Sequence, residues 1–124
     1  MEVKVKKVLV IDDRYFIKAA VEQYLSGVAE VDHMYCLPDD ESCLAKYDAL
    51  VVDGDGIGND KFGHGLDFCK AYDKPEGQAV VYHSGLSPSD EDCKLLEKRG
   101  VAVVCKGGNP EKLSLAIRFP MEKK

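Results

Sequence analysis

Four short apolar runs, each closed by a polar side chain, limit what this chain can fold into. Val8-Leu9-Val10-Ile11 ends on Asp12-Asp13, and Ala49-Leu50-Val51-Val52 ends on Asp53. Ala79-Val80-Val81-Tyr82 ends on His83-Ser84, and Val101-Ala102-Val103-Val104-Cys105 ends on Lys106. Apolar runs this short, bounded by turn residues, read as buried strands. A helical pattern follows each one, and such alternation predicts a parallel sheet covered on both faces. In open sheets of that kind the ligand crevice lies outside the carboxyl ends of the strands. The polar closures therefore share one edge and can converge.

The helices follow from spacing and punctuation. Phe16, Ile17, Ala20, Val21, Tyr24 and Leu25 recur at three-to-four spacing, and Ser26-Gly27 is a stop signal. Residues 28–37 make a poor strand, because Asp32 and His33 break its apolar pattern, which suits a sheet edge. Pro38-Asp39-Asp40 starts a short helix through Lys46, and another is expected from Leu66 to Tyr72. Ser87 suits an N-cap, with Pro88 at the first helical position and Asp90 favouring the positive helix end, and Gly100 ends that helix. Asn109-Pro110-Glu111 repeats the signal before Leu113, Leu115, Ala116 and Ile117, and Pro120 closes the segment. Five strands and five helices result. The fully apolar strands belong in the middle and residues 28–37 at an edge, which is the 2-1-3-4-5 order of a flavodoxin-like, doubly wound α/β sheet.

Length and composition fit one domain over residues 1–124, with a single hydrophobic core. The chain is 45% hydrophobic and 31% charged, ordinary for a globular protein. A net charge of -5 argues against a nucleic-acid surface, which would show a basic patch. No apolar stretch is long enough to span a membrane, and the three lysines before residue 8 are followed by no signal-like region. A cytoplasmic location is expected. The five cysteines are odd in number and contain no CxxC pair, so reduced, mostly buried thiols are expected rather than a disulfide framework or a zinc site.

The chain is organised around residues 47–56. There an apolar run stops at Asp53, and Gly54 and Gly56 let backbone approach whatever that carboxylate holds. Residues 54–65 carry five glycines and exceed the usual strand-to-helix connection of about 2–6 residues, a length that is generally functional or disordered. Asp12, Asp13 and Asp53 would repel one another at the shared edge. Two unit charges about 4 Å apart cost about 4 kcal/mol at an effective dielectric of about 20. A hard divalent cation with oxygen ligands and room for water relieves this, which suits magnesium. A cation and a lysine around one carboxylate can then neutralise an incoming phosphoryl group.

These motifs together resemble the receiver domains of two-component response regulators, over essentially the whole chain. Residues 8–13 look like the family's acidic-pair strand and residues 49–53 like its phospho-acceptor strand. Gly65-Leu66-Asp67-Phe68-Cys69 looks like the start of its third helix, Ser84 holds its Ser/Thr position, and Lys106 holds its lysine position. The resemblance implies that Asp53 accepts a phosphoryl group from a sensor histidine kinase or phosphotransfer protein. It implies that Asp12, Asp13, Asp53 and the backbone carbonyl of Asp55 hold Mg2+. Lys106 would pair with the phosphoryl oxygens, and Ser84 would hydrogen-bond to one of them and move to signal to an output protein. Such a domain catalyses only its own phosphorylation and dephosphorylation.

The chain departs from the family in three places. The loop after Asp53 is longer and lacks the usual proline. Gly107-Gly108 follows Lys106, where the family has a proline after a cis bond. A non-proline cis bond costs roughly 2.5–4 kcal/mol, so a trans turn re-formed by glycine is expected. Val103 stands where the family often has a switch Tyr or Phe, which leaves the usual aromatic switch without its side chain. His64 is expected to be a solvated loop residue, with a contact to metal or phosphate as the alternative. Three other readings compete with this one. An EF-hand-like calcium loop starting at Asp53 lacks the required Glu, since position 12 is His64. A haloacid-dehalogenase-type phosphatase would use Asp53-x-Asp55, but on its first strand. The third is a degenerate receiver serving only as a docking module.

Overall fold

The structure is a computed structural model that describes residues 2–25 and 29–124. Five parallel strands form one sheet: β1 (Lys7–Ile11), β2 (Glu30–Met34), β3 (Ala49–Asp53), β4 (Ala79–Ser84) and β5 (Val101–Cys105). Their order across the sheet is β2-β1-β3-β4-β5. The fully apolar strands occupy the middle and β2 lies at one edge, as the apolar patterns predict. Among the described residues four α-helices cover the sheet: α1 (Phe16–Leu25), α2 (Gly65–Ala71), α3 (Asp90–Lys98) and α4 (Pro110–Arg118). The short helix expected before β3 is a 3₁₀ segment over Glu41–Lys46, entered through Asp40, whose carboxylate accepts from the Ser42 N–H.

Alternation along the strands divides the core into two layers. Leu9, Ile11, Leu50, Val52, Val80 and Tyr82 face Leu44, Phe68, Tyr72 and Leu96. Val8, Val10, Ala49, Val51, Ala79 and Val81 face Ile17, Val21 and Leu25 of α1 and Leu113 and Ile117 of α4. Each large side chain fully buried in this way contributes about 1.5–3 kcal/mol. Asp48 ties the sheet together at its other end, because its carboxylate accepts from the backbone N–H groups of Lys6 and Lys7.

Several local expectations need correction. The N-cap of α3 is Ser89, not Ser87, and Pro88 lies outside the helix. Ser89 Oγ accepts from the Asp92 N–H, which puts Asp90, Glu91 and Asp92 all in the first turn, next to the positive end of the helix dipole. Asn109 caps α4 and Pro110 is its first residue, as the sequence predicts, with Asn109 Oδ1 accepting from the Glu111 N–H. The stop at Ser26-Gly27 lies outside the described residues. All five cysteines are free, but only Cys69 is buried; Cys36 and Cys105 are exposed and Cys43 and Cys93 half-buried. The buried-strand pattern does not extend to them, since Cys105 is the last residue of an edge strand.

The long connection is folded. Between β3 and α2 the chain buries Ile57 and Phe62 in the core. Asn59 Oδ1 accepts from the Lys61 and Phe62 N–H groups, and the Leu37 N–H donates to the Ile57 carbonyl. Packing rather than disorder accounts for its length.

Candidate phosphoryl and metal site

Strand direction brings the polar closures together. By alternation Asp12, Asp53, His83 and Lys106 extend the layer under α1 and α4, at the carboxyl ends of β1, β3, β4 and β5. Asp12 is 1% exposed and Asp53 7%. Lys106 Nζ donates to Asp53 Oδ1 and to Asp12 Oδ2, each at 2.8 Å. Asp53 Oδ1 also accepts from the Gly54 N–H at 2.8 Å, and Asp12 Oδ1 from the Arg14 N–H at 2.9 Å.

The carboxylates of Asp12, Asp13 and Asp53 each offer an oxygen within 4.8 Å of the others. Two are buried and Asp13 is exposed. An internal cation, Lys106, already offsets part of the repulsion between Asp12 and Asp53. Burial nonetheless raises the Asp53 carboxyl above the usual carboxylate range, and the Asp12 charge adds to this. The Lys106 and Gly54 hydrogen bonds pull the other way without overcoming it. Burial also works against the Lys106 ammonium, but its bonds and charge attraction to Asp12 and Asp53 together outweigh that and raise it. The donor set, oxygen-only with one solvent-facing member, suits a hard divalent cation.

Two glycines make the site possible. Gly56 has φ +78, and a Cβ there would lie 2.3 Å from Asp13 Oδ2, so the loop backbone closes directly against that carboxylate. A Cβ on Gly65 would lie 1.7 Å from the Asp53 carbonyl oxygen, which lets α2 start against the end of β3.

Ser84 is buried beside this group and by alternation belongs to the other layer. Its Oγ accepts from the Leu86 N–H at 3.3 Å and crowds the Gly54 backbone together with the Tyr82 hydroxyl. The apolar pattern marks Tyr82 only as a strand residue; its place two positions before a polar strand end is the signal that its hydroxyl reaches the site. Asp55 projects into solvent, and its Oδ1 lies 3.5 Å from His64 Nδ1. His64 is exposed, as expected, and stands at the N-cap of α2. Val103 is partly exposed on β5, directly opposite Tyr82 in register. No peptide bond among the described residues is cis, and Gly107 turns the chain after Lys106 with φ +80.

His83 is a further buried polar group. Its Nδ1 has no hydrogen-bond partner among the described residues, and the side chain opens on a cavity of about 270 Å³ between α1 and the turn before α4. Burial, followed by the nearby Lys106 charge, pushes its imidazole down to about 4. The EF-hand frame finds no helix before Asp53, because β3 leads into it, and its fifth position is the buried Ile57. The Asp53-x-Asp55 pair follows the third strand of the chain rather than the first.

No protein-family model matches the sequence, and no curated protein does. Solved structures do match. A CheY-like response regulator receiver domain protein from Methanospirillum hungatei aligns with TM-score 0.69 and 19% identity, over 91% of this chain and 90% of that one. A response regulator from Burkholderia pseudomallei, solved with a phosphorylated aspartic acid, a calcium ion and citrate, aligns with TM-score 0.68 and 23% identity, over 92% and 67%. A CheY-like receiver domain from Methylobacillus flagellatus gives 0.65 and 18%, over 92% and 99%. The fold is therefore that of response-regulator receiver domains.

Proposed function

We propose that residues 1–124 act as a receiver domain in which Asp53 accepts a phosphoryl group. The supporting observation is a buried Asp53 at the end of a central strand, with Lys106 Nζ 2.8 Å away and the Asp12 and Asp13 carboxylates beside it. Asp12, Asp13 and Asp53, with the Asp55 backbone carbonyl, would hold magnesium, which when bound supplies positive charge against the phosphoryl oxygens. Lys106 and the Gly54 N–H both engage Asp53 Oδ1, so Oδ2 is the nucleophile. Oδ2 forms a bond to phosphorus as the P–N bond of a phosphohistidine breaks, and the leaving imidazole keeps the electron pair and takes up a proton. Lys106 neutralises charge on the transferred group, and Ser84 donates to one of its oxygens.

The donor is a sensor histidine kinase or a phosphotransfer protein, and the signal passes to an output protein. The phosphorylated aspartic acid in the Burkholderia pseudomallei response regulator supports this reading. The protein is a signalling domain and turns over no substrate beyond its own phosphoryl group. Incubation with acetyl phosphate and magnesium, followed by intact mass, should add one phosphoryl group to the parent and none to Asp53→Asn. Equal labelling of the variant would overturn the assignment, and steady turnover of a phosphate ester would favour the phosphatase reading instead.

A further inference from the structure

We propose that His33, on the edge strand β2, is a positioning residue for the acidic pair at the end of β1. This rests on the receiver reading above and extends it to a side chain outside the carboxylate and lysine cluster. His33 Nε2 lies 2.7 Å from the backbone carbonyl oxygen of Asp12. A carbonyl oxygen only accepts, so Nε2 carries the hydrogen, in the neutral as in the protonated ring. The imidazole makes edge-to-face contacts with two tyrosines. The Tyr15 ring lies 5.4 Å away at 73° and the Tyr35 ring 4.6 Å away at 67°. Edge-to-face packing of this kind fixes the plane of the ring and therefore the direction of its N–H.

The carbonyl that His33 holds belongs to the peptide unit joining Asp12 to Asp13. That unit is planar, so fixing its oxygen also fixes the Asp13 N–H and the direction in which the Asp13 Cα leaves it. The other anchors act on Asp12. Its N–H donates to the Met34 carbonyl, and its carboxylate is held by the Arg14 N–H and by Lys106. Asp13 is the exposed member of the three carboxylates, so the orientation of this peptide bears directly on where its oxygen meets a cation. The two residues that break the apolar pattern of β2 thus have separate tasks. Asp32 takes the Tyr47 hydroxyl at 2.7 Å, and His33 takes the Asp12 carbonyl.

Groups that orient metal ligands from outside typically change metal affinity by about 10–100-fold when removed. His33→Phe keeps a ring between Tyr15 and Tyr35 and removes the donor, whereas His33→Gln keeps an N–H donor. Calorimetric titration with Mg2+ should show Kd rising about tenfold or more in His33→Phe and recovering most of the way in His33→Gln. Phosphorylation of His33→Phe by acetyl phosphate should need more magnesium for half-maximal rate yet reach the parent rate at saturation. A His33 that only secures the sheet edge would lower the melting temperature in EDTA and leave Kd unchanged, and that result overturns the proposal. Should His33→Phe fail to fold, Tyr35→Ala, at an exposed position, decides: weaker Mg2+ binding supports the proposal and unchanged binding overturns it. If the parent itself binds no Mg2+, the receiver reading falls and this inference with it. If the parent binds Mg2+ and is phosphorylated while the variants match it, only this inference falls.

Discussion

Asp53 and His83 are register partners in β3 and β4, so their side chains leave the same face of the sheet at its carboxyl end. The pairing sets a buried carboxylate beside a buried imidazole, with Lys106 at Asp53. Burial acts on the two in opposite electrical senses. It raises the carboxyl of Asp53 and lowers the imidazole of His83, and in both cases it favours the neutral form.

The His83 shift has a stability consequence with a definite sign. Its ordinary value is 6.5 and its folded value about 4. Between these the unfolded chain binds a proton that the folded chain refuses, so stability is full above pH 6.5 and is lost as pH falls toward 4. At 1.36 kcal/mol per unit, the loss attributable to His83 approaches about 3 kcal/mol. His83→Gln should remove that part of the acid sensitivity. Urea unfolding of parent and variant at pH 7 and pH 4.5, both in EDTA, measures it. Parallel losses in the two proteins would contradict the assignment.

Magnesium should stabilise the parent through Asp13. Binding to the native state alone adds about 2.7 kcal/mol at a hundredfold excess over Kd. Asp13→Ala removes the solvent-facing carboxylate of the three and should abolish most of the magnesium-dependent rise in melting temperature. A parent whose melting temperature ignores magnesium would argue against a cation site.

Asp55 should shorten the life of the phosphorylated state. Its carboxylate is 82% exposed and lies 3.5 Å from His64 Nδ1, and the expectation is that in the phosphorylated state it turns to orient a water for in-line attack. Asp55→Ala should lengthen the phosphoryl lifetime with magnesium affinity nearly unchanged, because the backbone carbonyl is retained. Decay after donor removal, at saturating magnesium, is the measurement. Equal or faster decay in the variant would exclude the water-orienting role.

Gly65 should tolerate no side chain. A Cβ there meets the Asp53 carbonyl oxygen at 1.7 Å, and neither a strand end nor a helix start can yield cheaply. Gly65→Ala should cost about 3 kcal/mol or more and reduce phosphorylation by displacing Asp53. Gly85→Ala, where a Cβ meets nothing within 4 Å, should change stability by only about 0.5 kcal/mol. Chemical denaturation of both variants tests the contrast; similar losses would show that the close approach at Gly65 is not what matters.

The amino-acid sequence alone determined the strands at residues 8–11, 49–53, 79–82 and 101–105, their order, and the shared edge on which Asp12, Asp13, Asp53, Ser84 and Lys106 lie. Apolar period and turn residues act over a few positions of chain, so they are legible without the fold. Parallel direction then follows from strand–helix alternation. Only the tertiary structure decided which oxygens share the Lys106 ammonium. It chose Ser89 over Ser87 as the cap and seated Ile57 and Phe62 under the long loop. It also set the Asp12 carbonyl against His33 Nε2. Lys106 and Asp53 are remote in sequence and meet across β4, and His33 and Asp12 meet across the paired edge of β2 and β1, so both contacts exist only once the sheet is assembled in register. Hydrogen bonds discriminate over tenths of an ångström, a scale set by packing and pairing rather than by any local pattern of residue types.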